Sequence, residues 1–462
     1  MAHYDLIVLG SGPAGQKAAI QAAKLRKRVA IIEKEWIGGA SVNTATLPSK
    51  TLKDAIYYFH GAKLRAFTNL SESLKESFTL RDLMARKAHV IKNELAIITN
   101  QLQRNDVEIV RGTGSFIDAH TIRVLKEPGS DEQLSADFIV IATGSRPRHE
   151  PIIAFNNTTI FDSDSILDAE TIPKTMAVLG GGVIGCEYAT MFSAFGVKVT
   201  LIDRRNELLR FVDQEVIQAL IYQMRINGVT VKLNEEPQDV KTDERGLVVT
   251  RLKSNKTVVT DMLLFSMGRS PNVEALNLHT VGIATDQTGL IKVNEFYQTD
   301  IPHIYAAGDV IGFPGLSSTS MEQGRRAACH AFKVELSKLP TMMPYGIYTI
   351  PEISTVGKSE EELSKANVPY EVGRAYYKEI ARGQIFGDLD GLMKLIFHRD
   401  TLELLGVHII GEGATELIHI GQAVLTYGGK VDFFVHNVFN YPTLAECYRT
   451  AALDGINRLG IT

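Results

Sequence analysis

Two glycine-rich segments carry the residue types best suited to bind phosphate. Their glycines are Gly10, Gly12 and Gly15 in the first segment and Gly180, Gly182 and Gly185 in the second. Each segment follows an apolar run and precedes a helix-like stretch, so pyrophosphate oxygens can reach backbone N–H groups at a helix N-terminus, where the dipole favours anions. A second apolar run then ends in an acid, Glu33 or Asp203, that can accept ribose hydroxyls. Because the whole unit occurs twice, two dinucleotide sites are favoured over ordinary glycine turns.

The second acid has unusual neighbours. Asp203 suits an unmodified ribose, whereas the 2′-phosphate of NADP needs nearby cations. Here Arg204 and Arg205 follow directly, and an arginine fork pairs well with phosphate. The pattern predicts a site that accepts NAD or NADP, although for either arginine a solvated charge after a strand remains an alternative.

The elements that must position these residues form a coarse α/β pattern. Short apolar runs predict strands, and alanine-rich or apolar-periodic stretches predict helices. Predicted strands cover residues 5–9, 29–32, 138–142, 176–179 and 197–202, and predicted helices cover 16–27 and 186–195. Residues 393–399 and 404–410 predict a hairpin, followed by a helix over 416–427. The fold class is therefore α/β, with two Rossmann-like units and a C-terminal α+β unit.

Composition excludes several function classes. The 462 residues are 45% hydrophobic and 22% charged, as in soluble globular chains of about three domains. The net charge of −4 without a basic run argues against nucleic acid as a partner. Three distant cysteines without a CxxC motif support neither a metal site nor a disulfide framework. The absence of a signal peptide and of a membrane-length apolar run predicts a cytoplasmic protein without membrane contact.

Further motifs give the chain a recognisable likeness. They are Gly38-Gly39 with Leu47-Pro48-Ser49-Lys50, residues 142–147 (ATGSRP), residues 268–272 (GRSPN) and residues 304–309 (IYAAGD). With these motifs, essentially the whole chain resembles the flavoprotein pyridine nucleotide-disulfide oxidoreductases. The resemblance implies FAD on the first unit, NAD(P)H on the second and a C-terminal dimerisation domain. It predicts a homodimer, with higher assembly left open.

The resemblance also assigns domains and site residues. It implies a discontinuous FAD-binding domain over 1–150 and 270–338, an NAD(P)-binding domain over 151–269 and a dimerisation domain over 339–462. The implied FAD residues are Gly10, Gly12, Gly15, Glu33, Gly39, Lys50, Thr143, Gly144, Gly308 and Asp309. The implied NAD(P) residues are Gly180, Gly182, Gly185, Glu187, Asp203, Arg204, Arg205 and Gly268.

A further implication is an ion pair beside the flavin, with Lys50 near its N5 atom and Glu187 as the partner of the lysine. A nearby cation stabilises the negative charge that builds up on flavin reduction, and a buried lysine without a partner tends to lose its proton. From the residues alone, Lys50 could instead be a surface lysine at a helix start, and Glu187 an exposed helix residue.

The departures from the family pattern decide the chemistry. Ser41 and Thr46 occupy the positions of the redox-active cysteines, and Tyr441 replaces the histidine of the C-terminal His-Pro-Thr motif. A hydroxyl cannot cycle between dithiol and disulfide, so lipoamide, glutathione and mercuric ion are poor substrate candidates. The resemblance places Tyr441 where it can close the site of a partner subunit; a core aromatic before a proline is the alternative.

Within the family, the chain best resembles the soluble pyridine nucleotide transhydrogenases, through residues 162–167, 184–188, 346–353 and 439–443. The implied reaction is NADPH + NAD⁺ ⇌ NADP⁺ + NADH, a ping-pong exchange through FAD at one nicotinamide site and without a disulfide. Two alternatives stay open. One is an NAD(P)H-dependent reductase of a quinone or another non-thiol acceptor, and the other is a catalytically silent flavin-binding scaffold.

Overall fold

The computed structural model describes residues 1–64, 80–126, 129–336 and 342–460. The helices of these ranges are α1 (Pro13–Lys24), α2 (Gly39–Asn43), α3 (Thr46–Leu64), α4 (Leu80–Gln103), α5 (Val183–Ala194), α6 (Gln214–Ile226), α7 (Ser317–Ala331), α8 (Glu360–Lys365), α9 (Ala381–Phe386), α10 (Ala414–Thr426), α11 (Asp432–His436) and α12 (Glu446–Arg458). None of them is long and apolar enough to cross a membrane.

The strands are β1 (Ala2–Leu9), β2 (Val29–Glu33), β3 (Glu108–Arg111), β4 (Thr113–Phe116), β5 (Thr121–Lys126), β6 (Ser130–Ile141), β7 (Ser145–Pro147), β8 (Ile160–Asp162), β9 (Thr175–Leu179), β10 (Lys198–Ile202), β11 (Thr230–Lys232), β12 (Pro237–Thr242), β13 (Val248–Leu252), β14 (Thr257–Thr260), β15 (Met262–Phe265), β16 (Arg269–Pro271), β17 (Ile304–Ala306), β18 (Tyr345–Ile347), β19 (Ile353–Gly357), β20 (Tyr370–Tyr376), β21 (Leu392–His398) and β22 (Leu404–Ile410).

The first unit is built on a seven-stranded sheet. Its order is β3-β2-β1-β6-β5-β4. Strand β17, which comes more than 160 residues after β6 in the sequence, also pairs with β6. Strands β3, β2, β1, β6 and β17 run parallel, whereas β5 pairs antiparallel with β6 and β4 pairs antiparallel with β5. Because β1 is covered on both faces, its last four residues are all buried. The sheet therefore brings residues after 300 next to the first glycine turn.

The second and third units complete an α/β molecule. A five-stranded parallel sheet, β11-β10-β9-β15-β8, and a small antiparallel sheet, β12-β13-β14, form the second unit. The third unit is an antiparallel sheet, β18-β19-β22-β21-β20, with α10 on β22 and α12 on β20. The predicted fold class is confirmed; the exact domain limits stay a prediction.

The predicted strands and helices are present, although their first and last residues differ from the prediction by a few positions. Helix α1 spans Pro13–Lys24 rather than 16–27, and α5 spans Val183–Ala194 rather than 186–195. Both helices begin directly after the middle glycine of their turn, and Pro13 suits a first helical position because its missing N–H would be unpaired there anyway. The predicted hairpin is confirmed as β21 and β22. The early starts place unpaired helical N–H groups at the glycine turns.

Candidate active site

In each glycine-rich segment the third glycine packs against the first. A Cβ on Gly15 would lie 1.9 Å from the carbonyl oxygen of Gly10, and one on Gly185 would lie 1.7 Å from that of Gly180. Both distances are impossible for a real side chain. These four glycines therefore allow the close contact between strand end and helix that forms the turn.

The middle glycines have a different surrounding. A Cβ on Gly12 or Gly182 would meet no atom within 4 Å, although each residue stands at the N-terminus of a helix. No side chain caps either helix, so the first N–H groups remain available to an anion. Each turn thus forms an open cradle, made of the middle glycine and the first N–H groups of the helix that follows. The two cradles, at Gly12 and Gly182, fit the pyrophosphates of two dinucleotides.

The first cradle opens into a cavity of about 810 Å³. Its walls include most of the residues predicted for FAD, together with Glu187: Gly10, Gly12, Glu33, Gly39, Lys50, Thr143, Gly144, Glu187, Gly308 and Asp309. Gly15 contributes to packing and not to the cavity wall. In the described ranges, no group of three His, Cys, Asp or Glu side chains is placed to hold a metal ion. The cavity and its cradle fit FAD.

The acid at the end of β2 is fixed at this cavity. Glu33 is buried and accepts hydrogen bonds from the backbone N–H and the hydroxyl of Ser11, at 2.9 and 2.6 Å, and from the backbone N–H of Glu35 at 2.9 Å. A carboxylate has about four acceptor sites, so Glu33 retains capacity for a ribose hydroxyl. Its position agrees with the ribose role predicted for it.

Lys50 and Glu187 form an ion pair between two units. The Nζ atom of Lys50, on α3, lies 2.7 Å from Oε2 of Glu187, on α5, whose side chain is only 5% exposed. The second oxygen of Glu187 accepts the backbone N–H of Tyr348 at 2.9 Å, and the ammonium lies 4.9 Å from the centre of the Tyr348 ring. Neither residue is the exposed helix residue that the sequence left open, and both line the cavity.

Three hydroxyls meet where the family's cysteines would lie. The Oγ atom of Ser317, at the start of α7, is 2.6 Å from Oγ of Ser41 and 3.3 Å from Oγ1 of Thr46. All three residues line the cavity. Ser317 was not predicted, because nothing in its local sequence indicates a contact with residues about 270 positions earlier.

A second polar network was also missed as part of the site. Ser145 donates to Oδ2 of Asp309 at 2.6 Å, and Arg269 donates to the Ser145 hydroxyl at 2.8 Å and to Asp164 at 3.1 Å. Thr44 donates to the other oxygen of Asp164 at 2.9 Å. The network joins the cavity to strands β7 and β16, which pair antiparallel between the first two units. The sequence signal that could have revealed this network is the pair of motifs, residues 142–147 and 268–272, that contain Ser145 and Arg269.

The second acid is already paired. Asp203 accepts hydrogen bonds from the backbone N–H groups of Gly181 and Arg205 and from two guanidinium nitrogens of Arg205. Burial alone would raise the pKa of Asp203, but these hydrogen bonds outweigh it and hold the pKa below its ordinary value. Arg204 has an exposed side chain. Asp203 and Arg205 thus meet beside the second glycine turn, but the carboxylate that was expected to be open to a ribose is occupied.

Tyr441 and Gly268 lie outside the cavity wall. Tyr441 is 75% exposed on the single chain, so its alternative interpretation as a core aromatic is wrong. A contact from a partner subunit stays a prediction for this residue. Gly268 adopts a φ of +110° next to Arg269, at the crossing between the first two units, and its nucleotide contact also stays a prediction.

Two family models match the chain. Residues 4–326 match the model described as pyridine nucleotide-disulphide oxidoreductase. Residues 343–452 match the dimerisation domain of the same family.

Curated relatives match along nearly the full length. Proteins named soluble pyridine nucleotide transhydrogenase from Mycobacterium bovis, Colwellia psychrerythraea and Pseudomonas putida are 47%, 45% and 44% identical, covering 99% of this chain and 98–99% of theirs. Among solved structures, LpdA from Mycobacterium tuberculosis has a TM-score of 0.89 at 27% identity, with 98% of this chain and 99% of that one covered. A HOCl-induced flavoprotein disulfide reductase, RclA from Escherichia coli, also has a TM-score of 0.89, at 25% identity and the same coverage.

Proposed function

Because the chain belongs to the pyridine nucleotide-disulphide oxidoreductase family, we propose that it is a flavoprotein transhydrogenase that catalyses NADPH + NAD⁺ ⇌ NADP⁺ + NADH. One observation carries the proposal: the cavity contains the Lys50–Glu187 pair but only hydroxyls, from Ser41, Thr46 and Ser317, at the place of the relay disulfide. Electrons therefore have no sulfur path out of the site. The transhydrogenase names of the full-length relatives agree with this conclusion.

The chain's own groups supply binding and electrostatics. Bound FAD supplies the group that accepts hydride from one nicotinamide and returns it to another. The cradle at Gly12 binds the FAD pyrophosphate, and Glu33 accepts a ribose hydroxyl. Lys50 places its ammonium at the cavity wall, where a cation stabilises negative charge that develops on reduction, and Glu187 holds the ammonium in position at 2.7 Å. The cradle at Gly182 holds each nicotinamide nucleotide in turn.

We also propose a homodimer, in which the third unit forms the interface. Several large hydrophobic side chains of that unit are largely exposed on the single chain, among them Tyr427, Val438 and Tyr441. Burial of such side chains at an interface would remove their contact with water. The match to the family's dimerisation domain supports this assignment. Sedimentation should give twice the chain mass, and a stable monomer would contradict the proposal. A cytoplasmic location without a nucleic-acid partner remains our expectation from the sequence.

Anaerobic titration tests the reaction. NADPH should bleach the flavin absorbance of the purified protein, and NAD⁺ alone should restore it, with no thiol or quinone present. Steady-state transfer from NADPH to a spectroscopically distinct NAD⁺ analogue should then proceed under the same conditions. Recovery that requires a quinone would instead identify a quinone reductase, and an absence of bleaching would identify a silent scaffold.

A further inference from the structure

The Asp203–Arg205 pair uses the whole acceptor capacity of the carboxylate. On Oδ1 it accepts the backbone N–H of Arg205 at 2.7 Å and Nε of Arg205 at 2.9 Å. On Oδ2 it accepts the backbone N–H of Gly181 at 2.5 Å and Nη2 of Arg205 at 2.7 Å. Four donors fill the approximately four acceptor sites of a carboxylate. A ribose hydroxyl cannot donate to Asp203 while the guanidinium remains.

Two of the four donors can leave, and two cannot. The backbone at Arg205 is fixed because its carbonyl accepts the N–H of Asn234 at 3.0 Å, and Gly181 follows Gly180, whose N–H donates to the carbonyl of Ile202 at 2.8 Å. A Cβ on Gly181 would lie 2.3 Å from the Cδ2 atom of Leu208 and 3.1 Å from Oδ2 of Asp203, so Gly181 packs closely against the acid. The guanidinium is different, since the side chain of Arg205 is 38% exposed while that of Asp203 is 4% exposed. Rotation of one side chain frees two acceptor sites.

The two freed sites match a ribose diol. The 2′- and 3′-hydroxyls of an NAD ribose donate two hydrogen bonds, as Nε and Nη2 do. An NADP ribose has only the 3′-hydroxyl, and its 2′-phosphate would be repelled by a bare carboxylate. That phosphate instead requires cations, which the exposed Arg204 and the unused Nη1 atom of Arg205 can supply.

We propose that Arg205 is a two-position specificity residue, paired with Asp203 when NADP(H) is bound and displaced by the ribose diol when NAD(H) is bound. Arg204 is the cation that binds the 2′-phosphate in the first state. The inference rests on the proposed function, because a transhydrogenase must admit both nucleotides to one site. Breaking the ion pair offsets part of the gain from the diol, so neither nucleotide is held much more tightly than the other.

Binding of two fragments to the FAD-loaded protein tests the switch without any hydride transfer. We use 5′-AMP, which carries the diol, and 2′,5′-ADP, which carries the phosphate, and measure both dissociation constants by calorimetry. Arg205→Gln should tighten 5′-AMP about three- to tenfold and weaken 2′,5′-ADP about tenfold or more. Asp203→Asn should weaken 5′-AMP about tenfold and leave 2′,5′-ADP unchanged or tighter. Arg204→Gln should weaken only 2′,5′-ADP. These sizes correspond to one or two charged hydrogen bonds.

The matched control is Arg210→Gln. Arg210 lies on the same loop but pairs with Asn206 and Glu207, so its removal should leave both dissociation constants unchanged. FAD content and the circular dichroism spectrum check that each variant is folded. If Arg205→Gln weakens 5′-AMP or leaves it unchanged, the two-position role is wrong. Because the fragments carry no nicotinamide, failure of transhydrogenation in the preceding titration would leave this result standing, and the reverse also holds.

Discussion

At the scale of single residues, the Lys50–Glu187 pair combines burial with charge. Glu187 has both oxygens occupied, one by the ammonium and one by the N–H of Tyr348. With both oxygens held, the Glu187 carboxylate has a fixed orientation and fixes the lysine against the cavity wall. The pair is therefore an electrostatic element prepared before any nucleotide arrives.

Lys50→Met should slow flavin reduction by NADPH. Removing one preorganised charge from a site where negative charge develops costs about 10²–10³-fold in rate, measured by anaerobic stopped flow on FAD-loaded protein. Lys53→Met is the control, because Lys53 lies one turn further along α3 and pairs with Glu352 at 2.5 Å. That variant should lose stability and keep its reduction rate. Equal rates in the two variants would contradict the role of Lys50.

The number of titratable thiols tests the sulfur-free path. Cys186, Cys329 and Cys447 are all free and buried, and burial raises the pKa of each thiol. Denatured protein should give three thiols per chain whether or not it was first treated with NADPH. A gain of two thiols after NADPH would reveal a reducible disulfide and contradict the proposed mechanism.

A buried acid in the third unit gives a pH dependence of stability. Burial raises the pKa of Asp388, and the negative charge of Glu412 adds to this. The folded state then binds a proton more tightly than the unfolded state, so Asp388 lowers stability as pH rises above about 4, its unfolded value. Asp388→Asn should be more stable than the parent at pH 8, with the difference shrinking toward pH 5, as followed by thermal melting.

Asp400→Asn is the control for this measurement, since Asp400 is an exposed aspartate of the same unit and its charge is not among those that raise the pKa of Asp388. Its melting temperature should follow that of the parent at both pH values. If the advantage of Asp388→Asn is the same at pH 5 and pH 8, the ionisation of Asp388 is not its cause.

At the scale of elements, α5 joins the second unit to the third. Besides Glu187, the hydroxyl of Thr190 accepts the backbone N–H of Ile350 at 3.1 Å. Two positions of α5, almost one helical turn apart, thus hold the segment that carries Tyr348. Nearly every residue of the helix is buried. Helix α5, which begins at the second cradle, is therefore fixed to the third unit through Glu187 and Thr190.

Thr190→Val should lower the free energy of unfolding by about 1–3 kcal/mol, because it leaves the N–H of Ile350 buried without an acceptor. Thr250→Val is the same change at another buried threonine, whose hydroxyl has no partner among the described residues. That variant should be neutral or stabilising. Denaturant unfolding compares them, and an equal loss in both would show that the hydrogen bond to Ile350 contributes nothing.

Local patterns predict elements better than they predict contacts. The glycine spacing of residues 10–15 and 180–185 and the alternation around residue 400 are local, and the predicted turns and hairpin exist. The contact of Ser317 with Ser41 depends on the path of the whole chain and has no local signal. Lys394 lies inside the apolar run of β21, and its contact with Asp213, 181 positions away in the sequence, likewise has no local signal.

At the scale of the whole molecule, a charged cluster joins the second and third units. Lys394, 2% exposed, lies 2.8 Å from Asp213 at the start of α6, 3.0 Å from Glu215 and in contact with Glu360. Arg374 of β20 pairs with Glu215 through two nitrogens. Such a cluster costs desolvation, so it fixes one relative position of the units rather than adding much stability.

Lys394→Met should destabilise the protein by about 3–5 kcal/mol, because it leaves the fully buried Asp213 without its cation. Limited proteolysis should show cleavage between the second and third units before either unit is degraded. Lys365→Met, at an exposed lysine of the neighbouring α8, should be neutral in both assays. A loss confined to overall melting, without selective cleavage, would argue against a role in holding the units together.

The cluster at Lys394 and the hydrogen bond between Thr190 and Ile350 tie the second unit to the third, and the ion pair of Lys53 with Glu352 ties the first unit to the third. Because the units are fixed to one another at several points, a nucleotide that binds has only local side chains such as Arg205 to reorganise, and little ordering entropy is lost. For a catalyst whose product and next substrate differ by one phosphate group, rapid exchange of nucleotides at a rigid site matters more than tight binding of either nucleotide.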